Sequence, residues 1–155
     1  MGTYASSAEQ VVALCRGLLE RGFLKSTEGN VSVRIPGRSE FAITPTSYSY
    51  ADMVPDDICV LDFGLRSLRG SKKASIEASM HATVYQHRPD VNVIIHSHQP
   101  YASALGLIGK PIPALFDEQV RYLGRSVEII GYMPSGTPFL RRKVEAKISL
   151  GHGRR

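Results

Sequence analysis

Apolar positions recur at helical spacing over residues 7–22, where Val11, Val12, Leu14, Cys15, Leu18 and Leu19 form one face. Ser6 or Ser7 caps the start of this predicted helix and Gly22 ends it. The period then changes. Val31, Val33 and Ile35 alternate with Ser32 and Arg34, which predicts a half-buried strand. A turn at Pro36-Gly37-Arg38-Ser39 leads to a second strand at Phe41-Ala42-Ile43, completing a hairpin. Further strands are expected at 58–63, 91–95 and 127–130, and helices at 74–87, 99–107 and 139–148. Residues 65–73 read as a basic connection. The run Val91-Asn92-Val93-Ile94-Ile95 has the β-branched content of a buried strand.

Hairpins come first, and helices then alternate with strands. This order predicts one α/β domain over 1–155, of α+β-like character. Its centre is a largely antiparallel mixed sheet flanked by helices. A doubly wound parallel sheet is the competing architecture, but no glycine-rich phosphate loop follows the first strand.

The net charge of +5 adds little, because the basic residues are scattered apart from Lys72-Lys73, Arg141-Arg142-Lys143 and Arg154-Arg155. No basic stripe is interleaved with aromatics, so nucleic acid is not an expected partner. A modest positive balance suits a small anionic substrate. Cys15 and Cys59 sit in apolar stretches without a CxxC partner and read as free thiols in a reducing compartment. With no apolar leader and no run of membrane-spanning length, a cytoplasmic protein without a membrane partner is expected.

Candidate chemistry gathers in four segments. His96-Ser97-His98 ends the predicted strand, and alternation along a strand would put both imidazoles on one face, half of a metal site. Gly29-Asn30 lies in a turn before a strand, Thr46-Ser47 in a hydroxyl-rich loop, and Ser75-Ile76-Glu77 at a helix start. Turn and helix-start N–H groups, with hydroxyl and amide donors, suit a phosphate or carboxylate. Each residue also has an ordinary reading: Asn30 as a turn residue, Ser75 as a helix cap, Glu77 as a carboxylate on a solvated face. His81 reads as a structural histidine of the core.

Read in order, Gly29-Asn30-Val31-Ser32, Ile43-Thr44-Pro45-Thr46, Ser75-Ile76-Glu77 with His81, Tyr85, Arg88-Pro89-Asp90, Ile94-Ile95-His96-Ser97-His98 and Pro111-Ile112-Pro113-Ala114 resemble the class II aldolase/adducin family over roughly 8–148. The resemblance implies a three-layer fold and a zinc-dependent lyase of carbohydrate metabolism. Such an enzyme cleaves a small sugar phosphate by an aldol route through a metal-stabilised enediolate. It implies His96 and His98 as zinc ligands and Glu77 as the acid/base and a further metal ligand. Gly29, Asn30, Thr46, Ser47 and Ser75 would bind substrate. A homotetramer with sites between subunits is also implied. Mn2+ is the alternative to Zn2+, since imidazole and carboxylate suit both.

Three departures from the pattern stand out. Ile76 occupies the position of a second serine, and Asp117 that of a tyrosine proton donor. The chain also stops at Leu150-Gly151-His152-Gly153-Arg154-Arg155, where the family continues through a strand, a His-Gly motif and a helix. His152 is either a third zinc ligand brought forward or a chance likeness. The expected truncation would bare a sheet edge and apolar surface. The alternatives to an aldolase are a related decarboxylase, dehydratase or epimerase on the same metal site, and an inactive truncated or adducin-like binding protein.

Overall fold

The computed structural model describes the backbone of residues 3–151 and the side chains of 3–148. The chain divides into a larger unit, which runs to Ser97 and resumes at Met133, and a smaller one, His98–Tyr132.

The larger unit opens with α1 (Thr3–Glu20), which turns Ser7, Ala8, Val11, Val12 and Cys15 inward. It stops in a left-handed cap. Gly22 has φ +73, its N–H reaches the Leu19 carbonyl at 3.0 Å, and the Phe23 N–H reaches Leu18 at 2.8 Å. Strands β1 (Asn30–Arg34), β2 (Glu40–Ile43), β3 (Cys59–Asp62), β4 (Ser67–Arg69) and β5 (Val93–His96) form one sheet in the order β4-β3-β2-β1-β5. Every pairing in it is antiparallel. Helix α2 (Ala78–His87) covers the face opposite α1, and α5 (Pro138–Gly151) packs against α2. The hairpin at 36–39 forms as expected, with Gly37 at φ +70.

One core lies between α1 and the sheet and includes Val11, Cys15, Val31, Val33, Ile35, Met53 and Val60. The other lies under α2 and includes Phe41, Ile43, Cys59, Leu61, Ala82 and Tyr85. The expectation that β1 is half-buried is therefore corrected. Both of its faces are covered, and Ser32 is as buried as Val31. The strand tolerates this because its polar side chains are hydrogen-bonded by α2.

Other expectations also change. The segment 91–95 does not form a buried central strand. Among the described residues β5 pairs with β1 alone, so it is a sheet edge, and Val93 and Ile95 remain 41% and 44% exposed. Helix α2 starts at Ala78 rather than 74, because 73–75 pairs with the 44–46 loop. The Ser75 N–H donates to the Thr44 carbonyl at 3.1 Å and the Thr46 N–H to Lys73 at 2.9 Å. The connection 65–73 holds the short exposed edge strand β4.

The smaller unit holds α3 (Pro100–Leu107), α4 (Asp117–Leu123) and a two-stranded ribbon of β6 (Ile112–Pro113) and β7 (Ser126–Val127). The strand expected over 127–130 is thus shorter, and α4, with Asp117 and Glu118 in its first turn, has no counterpart among the expected elements. Neither α3 nor α4 buries a residue. Among the described residues no helix is long and apolar enough to cross a membrane.

Candidate metal and acid/base centre

Asn30 and His96 face each other at the end of the β1–β5 ladder. Cross-strand neighbours share a face, so both side chains project towards α2. Glu77 occupies the N-cap of that helix. Asn30 Nδ2 donates to Glu77 Oε2 at 2.7 Å across 47 residues of chain. His96 Nδ1 lies against the same Oε2 and 3.3 Å from Asn30 Nδ2. The Ser135 hydroxyl donates to Glu77 as well.

Burial alone pushes the Glu77 carboxyl upward. The hydrogen bonds from His96, Asn30 and Ser135 and the charge of His96 more than offset this and hold it at about 2. Glu77 is therefore an ionised, almost fully buried carboxylate, not one on a solvated face.

Gly29 is required by close approach. It has φ +83, and a Cβ there would run into the His96 carbonyl oxygen. Its own carbonyl accepts from the Tyr50 hydroxyl at 2.6 Å. The Ser75 Oγ accepts from the Glu77 N–H at 3.3 Å, but Glu77 is itself the N-cap of α2, so Ser75 lies two positions before the cap and the helix-cap reading of it is corrected. The backbone pairing of 44–46 with 73–75 brings the Thr46 and Ser75 segments side by side. Ser47 is exposed, in a left-handed conformation with φ +52.

His98 does not share a strand with His96. The ladder ends at the Asn30–His96 pair because the chain turns away at Gly29, which leaves Ser97 and His98 without a strand partner on β1. The strand-alternation argument for a common face is corrected accordingly. His98 is exposed and opens the smaller unit. His152 lies outside the described residues. Among the described residues no group of three or more His, Cys, Asp or Glu side chains is placed to hold a metal ion. Glu77 and His96 nevertheless supply the donor types zinc prefers, a carboxylate oxygen and an imidazole nitrogen meeting at one point, and their chemistry fits the ion.

Sequence reasoning missed Ser32, Tyr85 and Ser135 as neighbours of this centre. His81 is fully buried, as expected of a core histidine, and its Nδ1 lies 2.6 Å from Ser32 Oγ. The signal for the first two was present in the spacing. Asn30, Ser32 and Arg34 share a strand face, and Glu77, His81 and Tyr85 share a helix face.

A five-stranded antiparallel sheet between helical layers, with a carboxylate and an imidazole meeting at one strand end, is the architecture of the class II aldolase type. The model of the class II aldolase and adducin N-terminal domain matches residues 9–154, and the chain belongs to that family. It is 30% identical over 129 residues to the 5-deoxy-D-ribulose 1-phosphate aldolase of Bacillus thuringiensis, covering 83% of this chain and 60% of that protein. It is 34% identical over 138 residues to the 5-methylthioribulose-1-phosphate/5-deoxyribulose-1-phosphate aldolase of Rhodospirillum rubrum, covering 84% and 61%. A solved L-fuculose 1-phosphate aldolase superposes with a TM-score of 0.86 at 28% identity, over 93% of this chain and 68% of its own. The chain thus spans about 60% of the length of these two curated relatives.

Proposed function

We propose that this chain belongs to a metal-dependent lyase that cleaves a carbon–carbon bond of a small sugar phosphate by an aldol route. The observation that carries the reading is the buried Glu77 carboxylate in contact with the His96 imidazole. The sugar-phosphate aldolases among its relatives support it.

On this reading His96 and Glu77 hold Zn2+, or Mn2+, with His98 and His152 as the further imidazoles that a three-ligand site calls for. The metal would supply Lewis acidity to a substrate carbonyl. Glu77 takes and returns the proton. Clasped by His96, Asn30 and Ser135 it is a weak base. Withdrawing the His96 donor strengthens it, because the hydrogen bond and the charge of His96 are two of the influences that lower the carboxyl against burial. Asn30 keeps the carboxylate aimed. Gly29, Thr46, Ser47 and Ser75 receive the phosphate end of the substrate. The buried free thiols Cys15 and Cys59 support a reducing, cytoplasmic setting.

Assembly as a homo-oligomer, a tetramer on the family resemblance, belongs to the same reading. Within the smaller unit Leu107 is 89% and Tyr101 87% exposed, which suits a surface that subunit contacts cover. Light scattering on the purified protein checks this, and a monomer would remove that part.

The test is cleavage of ketose 1-phosphates, such as those of fuculose and 5-deoxyribulose, by zinc-loaded protein. Glu77→Gln is expected to lower kcat by a factor on the order of 100 to 10,000 while retaining the fold and the bound zinc. Unchanged turnover, or failure of the unsubstituted protein to take up zinc, would overturn the proposal. One observation favours epimerase, dehydratase or decarboxylase chemistry instead. Ile76, beside Glu77, is 54% exposed where the resemblance expects a serine hydroxyl for phosphate. Turnover of an unphosphorylated sugar acid in the same assay would select that reading.

A further inference from the structure

Behind Glu77, β1 and α2 meet in a regular ladder of polar contacts. Asn30 bonds Glu77 at 2.7 Å. One rung on, Ser32 Oγ lies 2.6 Å from His81 Nδ1 and 2.8 Å from the Tyr85 hydroxyl. At the far end Arg34 donates to the Tyr85 carbonyl at 2.7 Å. Every side chain from Asn30 to Tyr85 in this ladder is buried.

Hydrogen placement in it follows from donor counting. The Tyr85 hydroxyl has one hydrogen to give, and it points at Ser32 Oγ, the acceptor within reach. Ser32, having accepted there, directs its own hydrogen to His81 Nδ1. His81 therefore carries its proton on Nε2. Among the described residues that buried Nε2 has no hydrogen-bond partner, and the buried Asn30 Oδ1 has none either. A stranded donor and a stranded acceptor sit on adjacent rungs of one ladder. A single buried water between them would satisfy both, since such waters occupy polar interior sites with two or more partners.

The geometry points to His81 as a positioning residue for Glu77: its Nε2–H, through one buried water, holds the Asn30 side-chain carbonyl and so keeps Asn30 Nδ2 on the Glu77 carboxylate. The chain Tyr85–Ser32–His81–Asn30–Glu77 then runs in one donor direction towards the carboxylate. An amide flipped end for end would set the Asn30 oxygen against the Glu77 oxygen and forfeit the water's donation to Oδ1, so the two contacts favour the same orientation. The inference rests on the proposed role of Glu77, but its test does not need turnover.

Long-range 1H–15N spectra of the metal-free protein at neutral pH report the tautomer of His81 directly. The Nε2–H form is expected, and the Nδ1–H form would overturn the inference. The Asn30 side-chain amide signals in two variants supply the second arm. His81→Phe fills the space without a donor and should shift or broaden those signals. His81→Gln restores a donor near Nε2 and should return them towards the original positions. A purely structural histidine predicts no rescue by Gln, and an Asn30 amide unmoved in His81→Phe would also sink the idea. Should His81→Phe not fold, the native tautomer and the Gln variant decide. In an active preparation His81→Phe should lower kcat about tenfold with KM unchanged, in line with other supporting residues around metal sites. An inactive native protein would count against the proposed lyase, while the His81 tautomer and the Asn30 signals would still decide the positioning role.

Discussion

The two faces of β1 are buried alike and held by opposite means. Towards α1 the strand turns Val31 and Val33, followed by Ile35, into a core of aliphatic side chains, Met53 and Tyr50. Towards α2 it turns Asn30, Ser32 and Arg34 into paired hydrogen bonds with Glu77, His81 and Tyr85. The Arg34 guanidinium also lies 4.7 Å from the Tyr85 ring centroid and 5.2 Å from that of Phe63. Apolar burial is non-directional and accepts many packings of similar volume. A buried polar ladder accepts few, because each unmatched group costs desolvation. The α1 face therefore supplies stability, and the α2 face sets the register that aims Glu77.

Three experiments would break or sharpen this contrast. The largest effect is expected on the apolar side. Ile35→Ala should cost about 2–5 kcal/mol in denaturant unfolding, while the Asn30 amide signals at Glu77 stay in place. Moved amide signals would mean that the two faces are not independent.

Next comes acid, which should act through the polar side. Burial holds the His81 imidazole down at about 4, against about 6.5 when unfolded. The unfolded chain thus binds the extra proton between these values. His81 then leaves stability intact above about pH 6.5 and lowers it as pH falls towards 4, by roughly 3 kcal/mol in all. His81→Gln should flatten that part of the curve in metal-free protein, and an unchanged slope would refute the assignment.

The smallest effect is Ser32→Ala. It leaves the Tyr85 hydroxyl and His81 Nδ1 without their shared partner and should cost about 1–3 kcal/mol. A variant as stable as the parent would show that the ladder does not need every rung satisfied.

Much of this architecture is legible in the chain itself. The period of 3.6 in α1, the alternation in β1 and the Pro-Gly turn all rest on local rules, and those elements form close to where the spacing puts them, except that α1 begins at Thr3 and so takes the expected caps Ser6 and Ser7 into its first turns, where the Ser7 hydroxyl donates back to the Thr3 carbonyl. The boundaries that differ do so for non-local reasons. Helix α2 loses its first predicted turn because residues 73–75 are committed to the 44–46 loop. His98 leaves the strand because its would-be partner strand ends at Asn30.

The candidate centre divides in the same way. Residue type and order select Glu77, Asn30 and His96, but Ser135 carries no sequence signal and reaches Glu77 from 58 positions away in the chain. Sequence alone determined which residues share a face within α1, β1 and α2, the order of the hairpin and those helices, and membership in a recognisable family pattern. Those properties depend on neighbours within a few residues and on the ordered motif set. Tertiary structure alone decided that the polar face of β1 would be covered rather than wet, and that a carboxylate at a helix start would meet an imidazole at a strand end. Periodicity defines a face but not what lies against it. Only packing brings Asn30 and His96 together across 66 residues of chain, and only the loss of water makes their contacts with Glu77 strong.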